Sequence, residues 1–191
     1  MTNLQARVTG ILTNSTSEWL AIAAEPDDVA AIYRSYIVYL AAIPAVSMFL
    51  GLTIVGLPLF GRYDVTSALA TAVVMYVTSL VAPFIAAVVL EKLAPKFESS
   101  ASTAQALKLV AYASTPMWVA GVFYLVLVLA PLALLAAIYA IYLFYLGLPV
   151  LMKTPPDNFV PFMVVAAIAI LVLNIVLRAI VSALGLPAYG F

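Results

Sequence analysis

Apolar positions along the chain collect into five long runs separated by short polar segments. The runs cover Tyr36–Leu59, Ser67–Leu90, Lys108–Leu129, Leu132–Leu151 and Phe159–Leu184. Each reaches the roughly 20 residues that a helix needs to cross a bilayer. The intervening segments are Phe60–Thr66, Glu91–Leu107, Ala130–Pro131 and Met152–Asn158. Lipid satisfies no backbone N–H or C=O group, so such runs fold as helices. The pattern predicts an all-α, polytopic membrane bundle of five transmembrane helices over residues 36–191. Residues 1–35 precede it as a cytoplasmic or interfacial segment.

Within that N-terminal segment Leu4, Val8, Ile11, Leu12, Trp19 and Ile22 form a stripe at helical spacing, interrupted at Gly10 and Asn14–Ser17. Two readings fit. An amphipathic helix or helix pair lies in the membrane interface with Trp19 at headgroup level. Alternatively, the stripe packs on the cytoplasmic ends of the spans.

Several spans are predicted to be kinked. Pro44 lies eight residues after Tyr36, Pro83 eight before Glu91, and Pro116 eight after Lys108. If these flanks mark one membrane face, all three prolines lie roughly 12 Å inside it. Each removes a backbone donor and frees the carbonyl four residues back, on Leu40, Ser79 and Tyr112. Thr115 is placed to turn its hydroxyl onto a carbonyl of the preceding turn. Broken helices with hydroxyls and free carbonyls coordinate ions in some transporters, whereas many membrane prolines only shape packing. The candidate layer is Pro44, Ser79, Pro83, Tyr112, Thr115 and Pro116. Gly-Leu-Pro at Gly56, Gly147 and Gly185 reads as helix-stop punctuation.

The fourth span groups Ala133, Ala136, Ala137, Ala140 and Gly147 on one arc and Tyr139, Tyr142 and Tyr145 on the other. Small residues allow close helix approach, and mid-membrane tyrosines need hydroxyl partners. This span is therefore expected at the centre of the bundle, with Tyr142 and Tyr145 joining the candidate layer. Asn174 is expected to bond to another helix. Asp27 or Asp28 is expected to cap a helix leading into the first span.

Composition agrees with the pattern. The 191 residues are 66% hydrophobic and only 8% charged, against about 25% charged in soluble domains. Eight basic and eight acidic residues balance, which argues against a nucleic-acid surface. The chain has neither Cys nor His, which removes thiol chemistry and the usual proton shuttle and metal ligand. No phosphate loop, metal cluster or carboxylate pair is recognisable, so neither an enzyme, a cofactor nor a metal is expected. No cleaved signal peptide is expected; the first span anchors itself. With the N-terminus inside, Arg7, Arg34, Lys92, Lys96, Lys108 and Lys153 are cytoplasmic, and only Arg62 and Arg178 lie outside. That distribution places the N-terminus in the cytoplasm and the C-terminus outside.

Trp19, Ile22, Glu25 and Pro26, then Leu40-Ala41-Ala42-Ile43-Pro44, Tyr112-Ala113-Ser114-Thr115-Pro116, and Tyr142 through Gly147 to Pro149 occur in that order. Lys153, Pro155 and Asp157 follow. The ordered set resembles the Yip domain family of Ypt/Rab-interacting membrane proteins, in its short bacterial branch. The resemblance implies five spans, a cytoplasmic N-terminus and a bacterial inner-membrane location. It marks Trp19, Glu25 and Pro26 as an N-terminal motif, and Gly147, Pro149, Lys153, Pro155 and Asp157 as a motif around the fourth loop. Eukaryotic relatives associate with Rab GTPases, typically through longer N-terminal tails. The expected role is non-enzymatic: membrane organisation or recruitment of a membrane or cytoplasmic protein partner, as a homo-oligomer in contact with the bilayer. The alternative is a small-solute or ion transporter or channel built on the proline layer.

Overall fold

The computed structural model describes residues 3–56 and 61–187. Pro58 and the predicted first-span end at Leu59 lie outside the described residues. The architecture is all-helical. Two short helices, α1 (Leu4–Thr13) and α2 (Ser15–Ala24), form an N-terminal hairpin. Five helices long and apolar enough to span a membrane follow: α3 (Val29–Val55), α4 (Val65–Phe97), α5 (Thr103–Leu125), α6 (Val128–Met152) and α7 (Pro156–Ala183). No β-strand occurs among the described residues.

The spans outrun the apolar stretches because polar residues cap them. Of the two candidate caps before the first span, Asp28 acts, accepting from the N–H groups of Ala30 and Ala31. Asp64 accepts from Ser67 N–H at the start of α4. Ser102 and Gln105 close a reciprocal capping box on α5. The predicted loop Glu91–Leu107 thereby shrinks to a few residues. At the far end of α6, Lys153 takes a left-handed conformation with φ 52° and stops the helix. Gly147 and Pro149 do not stop it: α6 runs through both, correcting the punctuation reading of that Gly-Leu-Pro. Gly56 (φ 79°) and Gly185 (φ 67°) do sit beyond helix ends.

The centre of the bundle is α5, which packs on α3, α4 and α6. Of its most apolar stretch 72% is buried, against 11% for α6. The expectation of a central fourth span is thus overturned. Its alanine arc is only half-buried, and Leu134, Leu135 and Ile138 are exposed. Helix α7 packs on α4 from outside.

The N-terminal stripe follows the packing alternative. Ile11, Trp19 and Ile22 are fully buried, so Trp19 is no headgroup anchor. Helix α2 lies along α6, and α1 touches the Thr115–Ala120 part of α5. Gly147 provides the seat: a Cβ there would stand 2.8 Å from the Trp19 ring and 2.7 Å from Leu109 Cδ1. Trp19 also meets Tyr112 edge-on, with centroids 6.3 Å apart. Overpacking of this kind costs about 1–3 kcal/mol. Gly147→Ala is therefore expected to lower unfolding stability in detergent by that amount, whereas Ala133→Val, on the half-buried arc, stays near wild type.

Candidate functional site

Three prolines share one level. Pro44 lies 15 residues from Val29, Pro83 14 from Phe97 and Pro116 13 from Thr103, or about 20 Å along each span. Their surroundings differ. Pro44 packs on α5, where a Cβ at Gly121 would come within 2.6 Å of Pro44 Cβ. Pro44, Ser79 and Pro83 line a cavity of about 270 Å³ between α3, α4, α5 and α7, together with Ser114, Trp118 and Asn174. Tyr112, Thr115 and Pro116 are not among its lining residues. Among the described residues Asn174 bonds back to the Ile170 carbonyl of its own helix and not to a neighbouring helix.

Tyr112, Thr115 and Pro116 belong to a second, buried site. Thr115, fully buried, donates its hydroxyl proton to the Tyr112 carbonyl at 2.6 Å. That is the carbonyl freed by Pro116, and the bond matches the expected hydroxyl-to-carbonyl geometry. Tyr36 Oη stands 2.6 Å from Thr115 Oγ1. Thr115 has a single hydroxyl proton and spends it on the carbonyl, so Tyr36 is the donor in this pair. At Pro83 the hydroxyl help arrives one residue from the expected place: Tyr33 donates to the Leu80 carbonyl at 2.7 Å.

Next to Tyr112 lies a group of charges. Arg7 is buried between Glu18 and Glu25, pairs with both, and stands 5.7 Å from the centroid of the Tyr112 ring. Below it Lys108, 1% exposed, donates to the Glu25 carbonyl at 2.7 Å and to Asp27 Oδ1 at 2.8 Å. The two cations thus clamp both ends of the Glu25-Pro26-Asp27 segment that joins the hairpin to α3. A buried charge needs a partner, and every charged residue of the hairpin has one. The Trp19 indole N–H is the buried side-chain polar atom left without a partner among the described residues.

The remaining predicted residues are dispersed. Tyr142 and Tyr145 are exposed on α6, stacked on Tyr139 and set edge-on to Phe159, away from the cavity. Their neighbour Tyr139 carries the polar contact, donating to the Leu12 carbonyl at 2.8 Å. Around the fourth loop Lys153 and Asp157 are exposed and Pro155 is half-buried. Thr154 between them is buried and bonds Ser99 at 2.9 Å, tying this loop to the one before α5. Pro26 is exposed at the hairpin base. Arg7, Lys108 and Tyr36 escape the sequence reading as site residues. Arg7 did leave a signal: it falls three residues after Leu4 and four before Ile11, on the apolar stripe itself.

A family model described as the Yip1 domain matches residues 9–178. No curated protein and no solved structure matches.

Removing one partner of a buried ion pair strands the other charge, at a cost of about 3–5 kcal/mol. Arg7→Met is expected near the lower bound because Glu25 is partly exposed. Glu18→Gln leaves Arg7 its second carboxylate and should cost only about 1 kcal/mol. Chemical unfolding in detergent reads the ratio, and equal losses for the two variants would contradict the clamp.

Proposed function

The chain belongs to the Yip1 domain family, and from that premise we propose a non-enzymatic role in organising the membrane or recruiting partner proteins. The docked N-terminal hairpin is its working element. The observation that carries this reading is where the charges of residues 3–28 go. Arg7, Glu18, Glu25 and Asp27 are spent on seating the hairpin against α5, and Asp28 on capping α3. Held in this way, the hairpin presents one fixed outer surface to the bilayer and to a partner.

We place the protein in a bacterial plasma membrane with the hairpin on the cytoplasmic side, following the six-to-two distribution of Lys and Arg. The exposed tyrosine side of α6 is the surface on which copies would associate. Tyr and similar aromatic residues are enriched at protein contacts because they offer large area and a polar tip.

The cavity favours a second reading, a path for a small solute or ion. Thr78, Ser79, Ser114 and Asn174 supply polar groups to its lining, at the level of Pro44 and Pro83. A solute path has to open to water, and a chain without native cysteine allows a clean test. Single cysteines replacing Ser79 and Ser114 are expected to resist a membrane-impermeant maleimide, with the exposed loop variant Ser100→Cys labelled as the control. Rapid labelling of both would move the assignment to transport. In parallel, the full-length chain and Arg7→Met are reconstituted into vesicles and expressed in cells. The organising role predicts that vesicle morphology or the set of cross-linked partners differs between the two. If neither readout separates them, the hairpin is not the working element.

A further inference from the structure

We infer that the N-terminal hairpin is a re-entrant element lodged within the leaflet on the N-terminal side, its outer face against lipid acyl chains. Its depth is registered on two spans independently. Leu12, beside the turn, accepts from Tyr139, which lies 13 residues from Met152, about 20 Å up α6. On α5, α1 contacts the Thr115–Ala120 segment, which contains Pro116. At the other end the hairpin base carries the exposed residues Pro26, Asp27 and Asp28 and the Lys108 clamp. The hairpin thus runs from a charged rim to the mid-height of the spans beside it.

Charge distribution says what covers the outside. A helix lying on a membrane surface keeps its charged face toward water. Here the arrangement is inverted. Arg7 and Glu18 are the two charged residues of residues 3–24, and both turn inward to each other. The exposed side is uncharged: beside Ala6, Leu20, Ala21, Ala23 and Ala24 it carries the neutral polar residues Gln5, Thr9, Thr13, Asn14, Thr16 and Ser17.

Of the four exposed hydroxyls, on Thr9, Thr13, Thr16 and Ser17, two bond back within the hairpin. Thr13 donates to the Thr9 carbonyl at 2.7 Å and Ser17 to the Asn14 carbonyl at 3.1 Å. At mid-height of a membrane bundle, an uncharged surface lying along the spans meets acyl chains. Asn14, exposed at the turn, is the group that this surrounding tolerates least. This placement rests on geometry and does not depend on the role proposed above.

Nitroxide labels on single cysteines replacing Thr13, Ser17 and Leu20 test it, in the full chain reconstituted in phosphatidylethanolamine–phosphatidylglycerol vesicles. Power-saturation measurements compare collisions with oxygen, which concentrates in lipid, and with a water-soluble nickel chelate. Ile138→Cys, exposed on α6 beside Tyr139, is the lipid control, and Ser100→Cys the water control. The expected result is oxygen dominance at all three sites, with depth increasing from Leu20 to Thr13 and Thr13 matching Ile138. Nickel dominance as at Ser100 overturns the inference. So does a single shallow depth shared by the three, which would describe a hairpin lying flat at the surface.

Discussion

A guanidinium has no neutral form to retreat to at any physiological pH, and that fact organises the N-terminal side of this protein. Once Arg7 is buried, carboxylates must come to it. Glu18 arrives from the returning helix of the hairpin and Glu25 from its base, while the Tyr112 ring turns its face to the same cation. Those contacts in turn set how α1 and α2 cross and where the chain leaves for α3. Lys108 repeats the logic one level down, holding the Glu25 carbonyl and Asp27 together. The hydrophobic contacts of Ile11, Trp19 and Ile22 supply area without direction. The paired charges supply the register.

The proline layer follows a gentler version of the same rule, since a lost backbone donor in an apolar surrounding has to be replaced. Tyr33 and Tyr36, three residues apart on α3, bring phenolic hydroxyls to α4 and α5 respectively. One helix therefore supports the proline regions of its two neighbours. Thr115 passes the Tyr36 contact on to the Tyr112 carbonyl, so the interruption of α5 at Ser114 and the wall of the Arg7 site are made by adjoining groups. A shift of α3 along its axis would disturb both.

Much of the fold was legible in the sequence because long apolarity and capping chemistry are local properties. The five spans, the Asp28 cap and the Thr115 back-bond all come from residues within a few positions of one another. Tertiary partners are not local, and there the reading failed. Gly147 looks like a helix stop until Trp19 is seen packed on it from 128 residues away. The alanine and tyrosine arcs of the fourth span suggested a central helix, yet the modestly apolar third span takes the centre. Its hydropathy is diluted by the polar residues, Lys108 and Thr115 among them, that make it a good core helix. Arg7 on the stripe was the overlooked clue, because a charge among core positions announces a buried counter-charge.

The seat of the hairpin also imposes an order on biosynthesis. Residues 3–24 leave the ribosome before Gly147 and Tyr139, against which they dock and which are synthesised more than a hundred residues later. At translation rates of 5–20 residues per second, the gap between Trp19 and Gly147 lasts roughly 6 to 25 seconds. Throughout that interval Arg7 can already meet Glu18 and Glu25, but Trp19 and the Leu12 carbonyl lack the Gly147 seat and the Tyr139 hydroxyl, and that side of the nascent stripe has the membrane surface on which to rest. The interfacial helix suggested by the sequence is then an apt description of the newborn chain, and the buried hairpin is what it becomes once the fourth span is in place.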